Sequence, residues 1–313
     1  MDNLTHSMAG WVLGQAGLKT ESRKGLAALI LGANMPDIDV FFGWVPWEPL
    51  SIHRGFTHGL VGGVLVMPPI LAGLLLLLDR WQVGRGTVFR SGLEMRPWRL
   101  LALCYVGAIT HPMLDVLTTY SVQLLSPFSS GWYHSDGLFI IDLWIWLFVG
   151  GAIFWSKRRE KRGGAWRTPA RTAIAVTLVY IAANLAISAR AGADVRAWAG
   201  QRPVDAIFAS PPPFYPWRRD MVWREAACYR RASYSPVAGL GSVGGCEPTG
   251  LDDPLVRRTI AGSASLHKFL KWSILPQARV ERSGCDARVY VGDARYGPPG
   301  QSRLARETTL KTC

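Results

Sequence analysis

Trp98-Arg-Leu-Leu-Ala-Leu-Cys-Tyr-Val-Gly-Ala-Ile-Thr-His111-Pro-Met-Leu-Asp115-Val-Leu117 is the stretch on which the reading of this chain turns. It is long enough to cross a bilayer, which needs about 20 apolar residues. Yet it ends in a histidine and an aspartate four apart. On a helix that spacing puts both side chains on one face, where they can grip one ion. Ionisable groups inside a span cost up to a few kcal/mol each and are usually functional.

Working outward, three more apolar stretches are long enough to span: Gly59–Leu78, interrupted by Pro68-Pro69, then Leu138–Trp155 and Thr172–Ala189. Two shorter apolar helices precede them, Leu4–Leu18 and Leu26–Met35. Asp2 or Asn3 is placed to cap the first, and Pro36 to stop the second. The expected fold is mainly α: a polytopic helical membrane bundle of four long spans plus two shorter N-terminal helices over residues 1–189. Residues 190–313 read as a small β-leaning extramembrane domain, with candidate strands at Met221–Tyr229, Trp272–Val280 and Ala287–Val291.

Composition divides at the same place. Residues 1–189 hold 16 Lys+Arg against 11 Asp+Glu, a net +5, and the rest hold 19 against 11, a net +8. In a membrane protein basic residues set topology, so the overall +13 argues little for nucleic acid as a partner. A basic tail also suits anionic headgroups or phosphorylated substrates. Five Lys+Arg (Arg80, Arg85, Arg90, Arg96 and, just inside the second span, Arg99) follow the first span and seven follow the third, whereas Thr118–Gly137 carries none. By the positive-inside rule the basic linkers are cytoplasmic and the bare loop and tail are not. The expected location is therefore the plasma (inner) membrane of a bacterium or archaeon, multi-pass. The start, Met1-Asp-Asn-Leu-Thr-His6-Ser7, lacks the pattern of a signal peptide. None of the five cysteines forms a CxxC pair, which argues against a thiolate zinc site. Cys104 reads as core filler. Cys228, Cys246, Cys285 and Cys313 are free to form disulfides in a non-cytoplasmic tail.

On this topology His6, Asp37, Asp39, His53, His58, His111 and Asp115 all fall at the non-cytoplasmic ends of the helices. His134, Asp136 and Asp142 follow in the bare loop and one turn into the third span. Imidazole with carboxylate suits zinc, manganese or iron. Arg54 can bind a phosphate or neutralise a carboxylate. His134 and Asp136 read as solvated, Asp142 as a partner for Arg54 or a helix cap, and His267 in the tail as structural or surface.

These motifs resemble the YdjM-like membrane-bound metal-dependent hydrolases of bacteria and archaea. The matching residues are Thr5-His6 followed by Gly10, Pro36-Asp37-Ile-Asp39, His53-Arg-Gly-Phe-Thr-His58, His111-Pro-Met-Leu-Asp115 running into Thr118-Thr-Tyr120, and Phe139-Ile-Ile-Asp142. Ser210-Pro-Pro-Pro-Phe-Tyr-Pro-Trp217 resembles a Pro-rich stretch of longer members, with Tyr215 where Asn is expected. The resemblance, which covers about residues 1–155, implies a hydrolase distantly similar to the zinc-dependent phospholipase C and single-strand nuclease superfamily. It implies His6, Asp37, His58, His111 and Asp115 as ligands of a divalent metal, zinc or manganese, with Asp39 and His53 as ligands or their supports.

The expected activity is phosphoester hydrolysis, on a phospholipid or another phosphoester, at the outer boundary of the bilayer. Arg54 would steady developing charge, and Asp37 or Asp39 would serve as general base. Two rival readings stand beside it. One is an ion- or proton-coupled transporter, since intramembrane His and Asp can carry ions. The other is a non-catalytic metal-binding scaffold.

Overall fold

The computed structural model describes residues 1–42, 54–301 and 306–311. His53 and Cys313 lie outside them. The chain forms two compact units, one of residues 1–42 with 53–185 and one containing residues 186–313.

The first unit is helical. Its elements are α1 (Asn3–Gln15), α2 (Gly25–Asn34), α3 (Leu60–Gly84), α4 (Pro97–Val116), α5 (Leu143–Lys161) and the first part of α6 (Arg167–Ala199). The Asp2 carboxylate caps α1 by accepting from the Leu4 and Thr5 amides, satisfying donors that a first turn otherwise leaves open. After Asn34 the chain tightens into a 3-10 helix, Met35–Phe42, which carries Asp37 and Asp39. The first seven residues of α3, Leu60–Val66, wind as a π-helix ahead of Pro68-Pro69.

Helices α1, α2 and α4 pack backbone to backbone through small residues. A Cβ on Gly10 or on Gly107 would stand 2.5 Å from the Leu29 carbonyl oxygen, so neither position accepts a side chain without parting the helices. Leu29, Ala28, Cys104 and Leu100 fill the core beside this contact. A second core, built from Met8, Val12, Ile145, Val149 and Ile153, joins α1 to α5.

The expectation of four spanning helices is overturned. Among the described residues two helices are long and apolar enough to cross a membrane, Leu60–Gly84 and Arg167–Ala199. Their outward faces carry exposed Leu65, Leu74, Leu77, Leu178 and Val179. In contrast, α4 buries Leu100, Leu103, Cys104, Gly107, Ala108 and His111 inside the unit, so it is a core helix. The last turns of α5 are charged, with Lys157, Arg158, Arg159, Glu160 and Lys161. An apolar run has the same hydropathy whether it faces lipid or protein. Asp142 is the helix cap that was one of its two expected roles: it is the N-cap of α5, not a turn inside it, and accepts from the Trp144 and Ile145 amides at 3.1 Å.

Among the described residues the second unit holds two antiparallel sheets. One runs β1 (Val204–Ser210), β2 (Arg219–Glu225), β3 (Cys228–Ser235), β4 (Gly239–Leu240), with β5 (Glu247–Pro248) also paired to β3. After α7 (Pro254–Ala261) and α8 (Ala264–Trp272) comes the other, β6 (Pro276–Ser283), β7 (Asp286–Asp293), β8 (Arg306–Lys311). The expected strand Met221–Tyr229 is thus two strands with a turn between them, at Ala226 in the left-handed region (φ 54°). Trp272 closes a helix that Ser263 caps, and the strand expected there begins at Pro276. Cys228 and Cys246 form a disulfide, with 5.5 Å between their Cα atoms.

Candidate metal centre

Four segments deliver the centre. Helix α1 brings His6, the 3-10 turn after α2 brings Asp37, the short turn Phe56–His58 brings His58, and the last turns of α4 bring His111 and Asp115. All five side chains are buried. The close glycine packing of α1 and of α4 against α2 lets the His6 and His111 rings stack with centroids 3.8 Å apart.

Among the described residues two groups of donor atoms could hold a metal ion: His6, His111 and Asp115, and Asp37, His58 and His111. Around them acid and imidazole alternate. His58 Nε2 is 3.2 Å from Asp37 Oδ1 and 3.6 Å from Asp115 Oδ2, and His111 Nε2 is 3.4 Å from each of the same oxygens. Those sides are close to the roughly 3.3–3.5 Å separating neighbouring ligands at zinc–ligand bonds of about 2.0–2.1 Å. His6 Nε2 stands 3.5 Å from the other oxygen, Asp115 Oδ1.

The supports fix which nitrogen faces the ring. His111 Nδ1 lies 2.7 Å from the Ala33 carbonyl oxygen. A carbonyl only accepts, so Nδ1 carries the proton and Nε2 presents its lone pair, the arrangement metal-ligating histidines use. The Thr57 hydroxyl donates to Asp39 and lies 3.0 Å from His58 Nδ1. Having given its proton to Asp39, it accepts from His58 Nδ1–H and leaves Nε2 towards the ring. Asp39 therefore stands behind His58 and belongs to neither donor group.

Electrostatics keep the donors in their ligating forms. Burial raises the Asp37 pKa, but the His111 and His58 imidazoles beside it outweigh that and hold the carboxyl well below its usual range. Burial pushes the His111 imidazole down to about 4 against the pull of Asp37, and pushes His6 well below its ordinary value, helped by the neighbouring His111. Neutral imidazole and ionised carboxylate are what a cation needs. The donor set also fits a cation by what it lacks. Both ring nitrogens of His6, Nε2 of His111 and both oxygens of Asp115 are buried without a hydrogen bond. Such groups cost about 1–3 kcal/mol each unless something binds them.

Arg54 completes the centre. It is buried and in the left-handed region (φ 68°). Its Nη1 donates to Thr118 Oγ1 at 3.2 Å, its Nη2 is 3.4 Å from Asp115 Oδ1, and its guanidinium lies over the Tyr120 ring at 5.2 Å. The Met1 amino group also lies against Asp115. His134 and Asp136 pair with each other at 3.0 Å in the loop after α4 and join neither donor group. Thr57, Thr118, Tyr120 and the Ala33 carbonyl were given no role by the sequence reading. Thr57 beside His58, and Thr118 and Tyr120 after Asp115, stand within the family-like motifs, whereas the Ala33 carbonyl offered no signal.

The sequence model of the YdjM inner membrane proteins matches residues 1–192. The chain belongs to the YdjM inner membrane protein family. Every residue of the two donor groups lies in the matched part, and membership associates the protein with a membrane. No curated protein and no solved structure matches the chain.

Proposed function

We propose that this YdjM-family protein is a membrane-bound, metal-dependent hydrolase of phosphoesters. The observation that carries the reading is the ring of Asp37, His58, Asp115 and His111, with donor-to-donor sides of 3.2–3.6 Å, beside a buried arginine. These four residues, with His6 at the second oxygen of Asp115, would hold a divalent cation of the zinc class. Bound there, it supplies Lewis acidity towards a phosphoryl oxygen and lowers the pKa of water. Arg54 presents a fixed positive charge for the phosphate, oriented by Thr118 and Tyr120. Asp37, kept ionised, would serve as a ligand and not as a base, because a carboxyl held so far below its usual range takes up a proton weakly. Asp39 orients His58 through Thr57.

The site is inferred to lie on the non-cytoplasmic side. The loop after α4 packs at the Leu185 end of α6, where a Cβ on Gly137 would meet the Leu185 side chain at 2.9 Å. The Cys228–Cys246 disulfide beyond α6 supports an oxidising compartment there. A membrane-impermeant thiol reagent applied to intact cells after reduction should label both cysteines; protection until lysis would reverse the orientation.

Metal analysis of the detergent-purified full chain tests the function first. Stoichiometric zinc or manganese, lost in Asp115→Asn and His111→Ala, is expected, together with phosphoesterase activity that a chelator removes. A wild type that stays empty after loading with either ion would overturn the reading.

A further inference from the structure

The second unit carries an apolar edge that nothing in the proposed hydrolase site uses. It is the loop Pro211-Pro-Pro-Phe-Tyr-Pro-Trp-Arg218 between β1 and β2. Phe214 is 63% exposed and Tyr215 and Trp217 48% each. The loop is built, not slack. The Tyr215 amide donates to Pro212 O at 3.3 Å and the Arg218 amide to Tyr215 O at 2.9 Å. Four prolines hold φ near −65°, so the three rings are presented at low entropic cost. Tyr215 and Trp217 meet edge to face at 5.6 Å, with the Arg218 guanidinium 5.2 Å from the Tyr215 ring. Exposed aromatic clusters of this kind mark interaction sites.

Which way the loop points follows from contacts along α6. Buried Arg219, the first residue of β2, donates from Nε to Ser188 Oγ at 2.8 Å and from Nη1 to Pro216 O at 2.6 Å. Four residues later the Trp223 ring meets Trp198 with centroids 5.6 Å apart. Ten helical residues rise about 15 Å and four strand residues about 13–14 Å, so β2 runs alongside α6 from Ser188 towards Trp198. The loop that precedes β2 leaves the sheet at the Ser188 end. The register Arg219↔Tyr234 puts the β3–β4 turn at that end too, and its Val237 is 99% exposed. The opposite end is charged and paired: Arg202 with Glu225 at 3.2 Å, Arg230 with Glu225 at 2.7 Å, and Arg224 with Asp205 at 2.8 Å.

The Ser188 end is where α6 leaves its apolar run. At 33 residues the helix is about 50 Å long, more than the roughly 30 Å of a hydrocarbon core. Arg190, Asp194 and Arg196 follow Ser188 directly, and Thr172–Ala189 before it is uncharged. Trp and Tyr collect at this boundary, where their rings suit the headgroup region, and arginine there reaches anionic lipid phosphate.

We propose that the loop 211–218, with Val237 beside it, is an interfacial anchor that seats the second unit in the headgroup layer of the bilayer α6 crosses. The occupant of this apolar edge is lipid: the charged far end makes the unit amphipathic along the α6 axis, in the sense a bilayer surface requires. The inference depends on membrane association and not on the hydrolase reading.

Depth measurement on the full chain in phosphatidylethanolamine/phosphatidylglycerol nanodiscs tests it. A nitroxide is attached to Phe214→Cys, to Trp217→Cys and, as the far-end control, to Ala226→Cys. Protein with no added cysteine serves as the blank. At 214 and 217, collisions with oxygen should exceed those with a water-soluble nickel chelate several-fold, and at 226 the order should reverse. Nickel access at 214 equal to that at 226 would place the loop in water and overturn the proposal. Low access of both reagents at 214 would show protein covering the edge, such as a second copy, and would overturn it as well.

Discussion

Two buried carboxylates in this molecule stand in opposite conditions. Asp293, in the second unit, accepts at Oδ1 from the Arg295 amide and Nε, at 2.9 and 2.8 Å. At Oδ2 it accepts from Ser273 Oγ, the Ile274 and Leu275 amides and Arg295 Nη2, at 2.6–3.3 Å. The Arg295 guanidinium in turn lies 4.8–5.1 Å from the rings of Phe208, Trp272 and Tyr296. Asp115, in the helical unit, is as deeply buried and accepts no hydrogen bond, although charged groups and imidazoles surround it. A satisfied polar network fixes structure. An unsatisfied one stores binding capacity, at a cost that packing elsewhere offsets. The difference separates scaffold from site without reference to any ligand.

The largest expected effects break this comparison if it is wrong. Asp115→Asn and His111→Ala should each abolish metal binding, and metal-free Asp115→Asn should lose less stability than Asp293→Ala, because it breaks no made hydrogen bond to the carboxylate and only weakens its ion pairs with Met1 and Arg54. A marked fall in the melting temperature of metal-free Asp115→Asn would mean that this carboxylate is structural after all. Asp293→Ala should do the reverse. It leaves Arg295 buried and uncompensated, which costs about 3–5 kcal/mol, and hydrogen exchange should report the loss in β6 and β7 with bound metal unchanged. The pH dependence has a definite sign. Burial raises the Asp293 pKa, but Arg295 outweighs it and the folded value is depressed. Its stabilisation is therefore complete above the unfolded carboxylate pKa of about 3.9 and disappears as pH falls below that. Protection of β7 that stays constant down to pH 2 would contradict it.

Much of the site could be read from residue spacing, and less of the fold. His111 and Asp115 declare themselves because four residues on a helix make one face. Asp37 and His58 stand out as ionisable residues that end or begin apolar runs. The relay role of Thr57 and the Ala33 carbonyl were illegible: one acts by handing on a hydrogen bond, the other through a backbone atom that any residue supplies. The four-span expectation failed at α4, because burial against protein and burial in lipid select the same side chains. In the tail, the turn between β2 and β3 carries Ala226-Ala227, with none of the Gly, Asn or Asp that usually mark a break.

A smaller effect sharpens the comparison from within the site. Thr57 touches no ligand atom of the ring, only Asp39 and His58 Nδ1. Supports of this kind change metal affinity by about 10–100-fold. Thr57→Val keeps the volume and removes the relay, so competition with a zinc chelator should show affinity weakened in that range, and Thr57→Ser should restore it. Equal affinity in all three would mean that His58 is oriented by packing alone.

Asp142 is the finest case, since it is an acid of the family-like motifs that the comparison assigns to the scaffold. It accepts from two amides at the start of α5 and from the Tyr180 hydroxyl at 3.0 Å, so both of its oxygens are already engaged by protein donors. Asp142→Ala should therefore cost about 0.5–2 kcal/mol, the range for losing an N-cap, and leave bound metal at the wild-type ratio. Asp142→Asn, which keeps an accepting oxygen for the amides, should cost less than Asp142→Ala. If instead Asp142→Asn lost metal as completely as Asp115→Asn, hydrogen-bond satisfaction would be no guide to which acids of this centre bind.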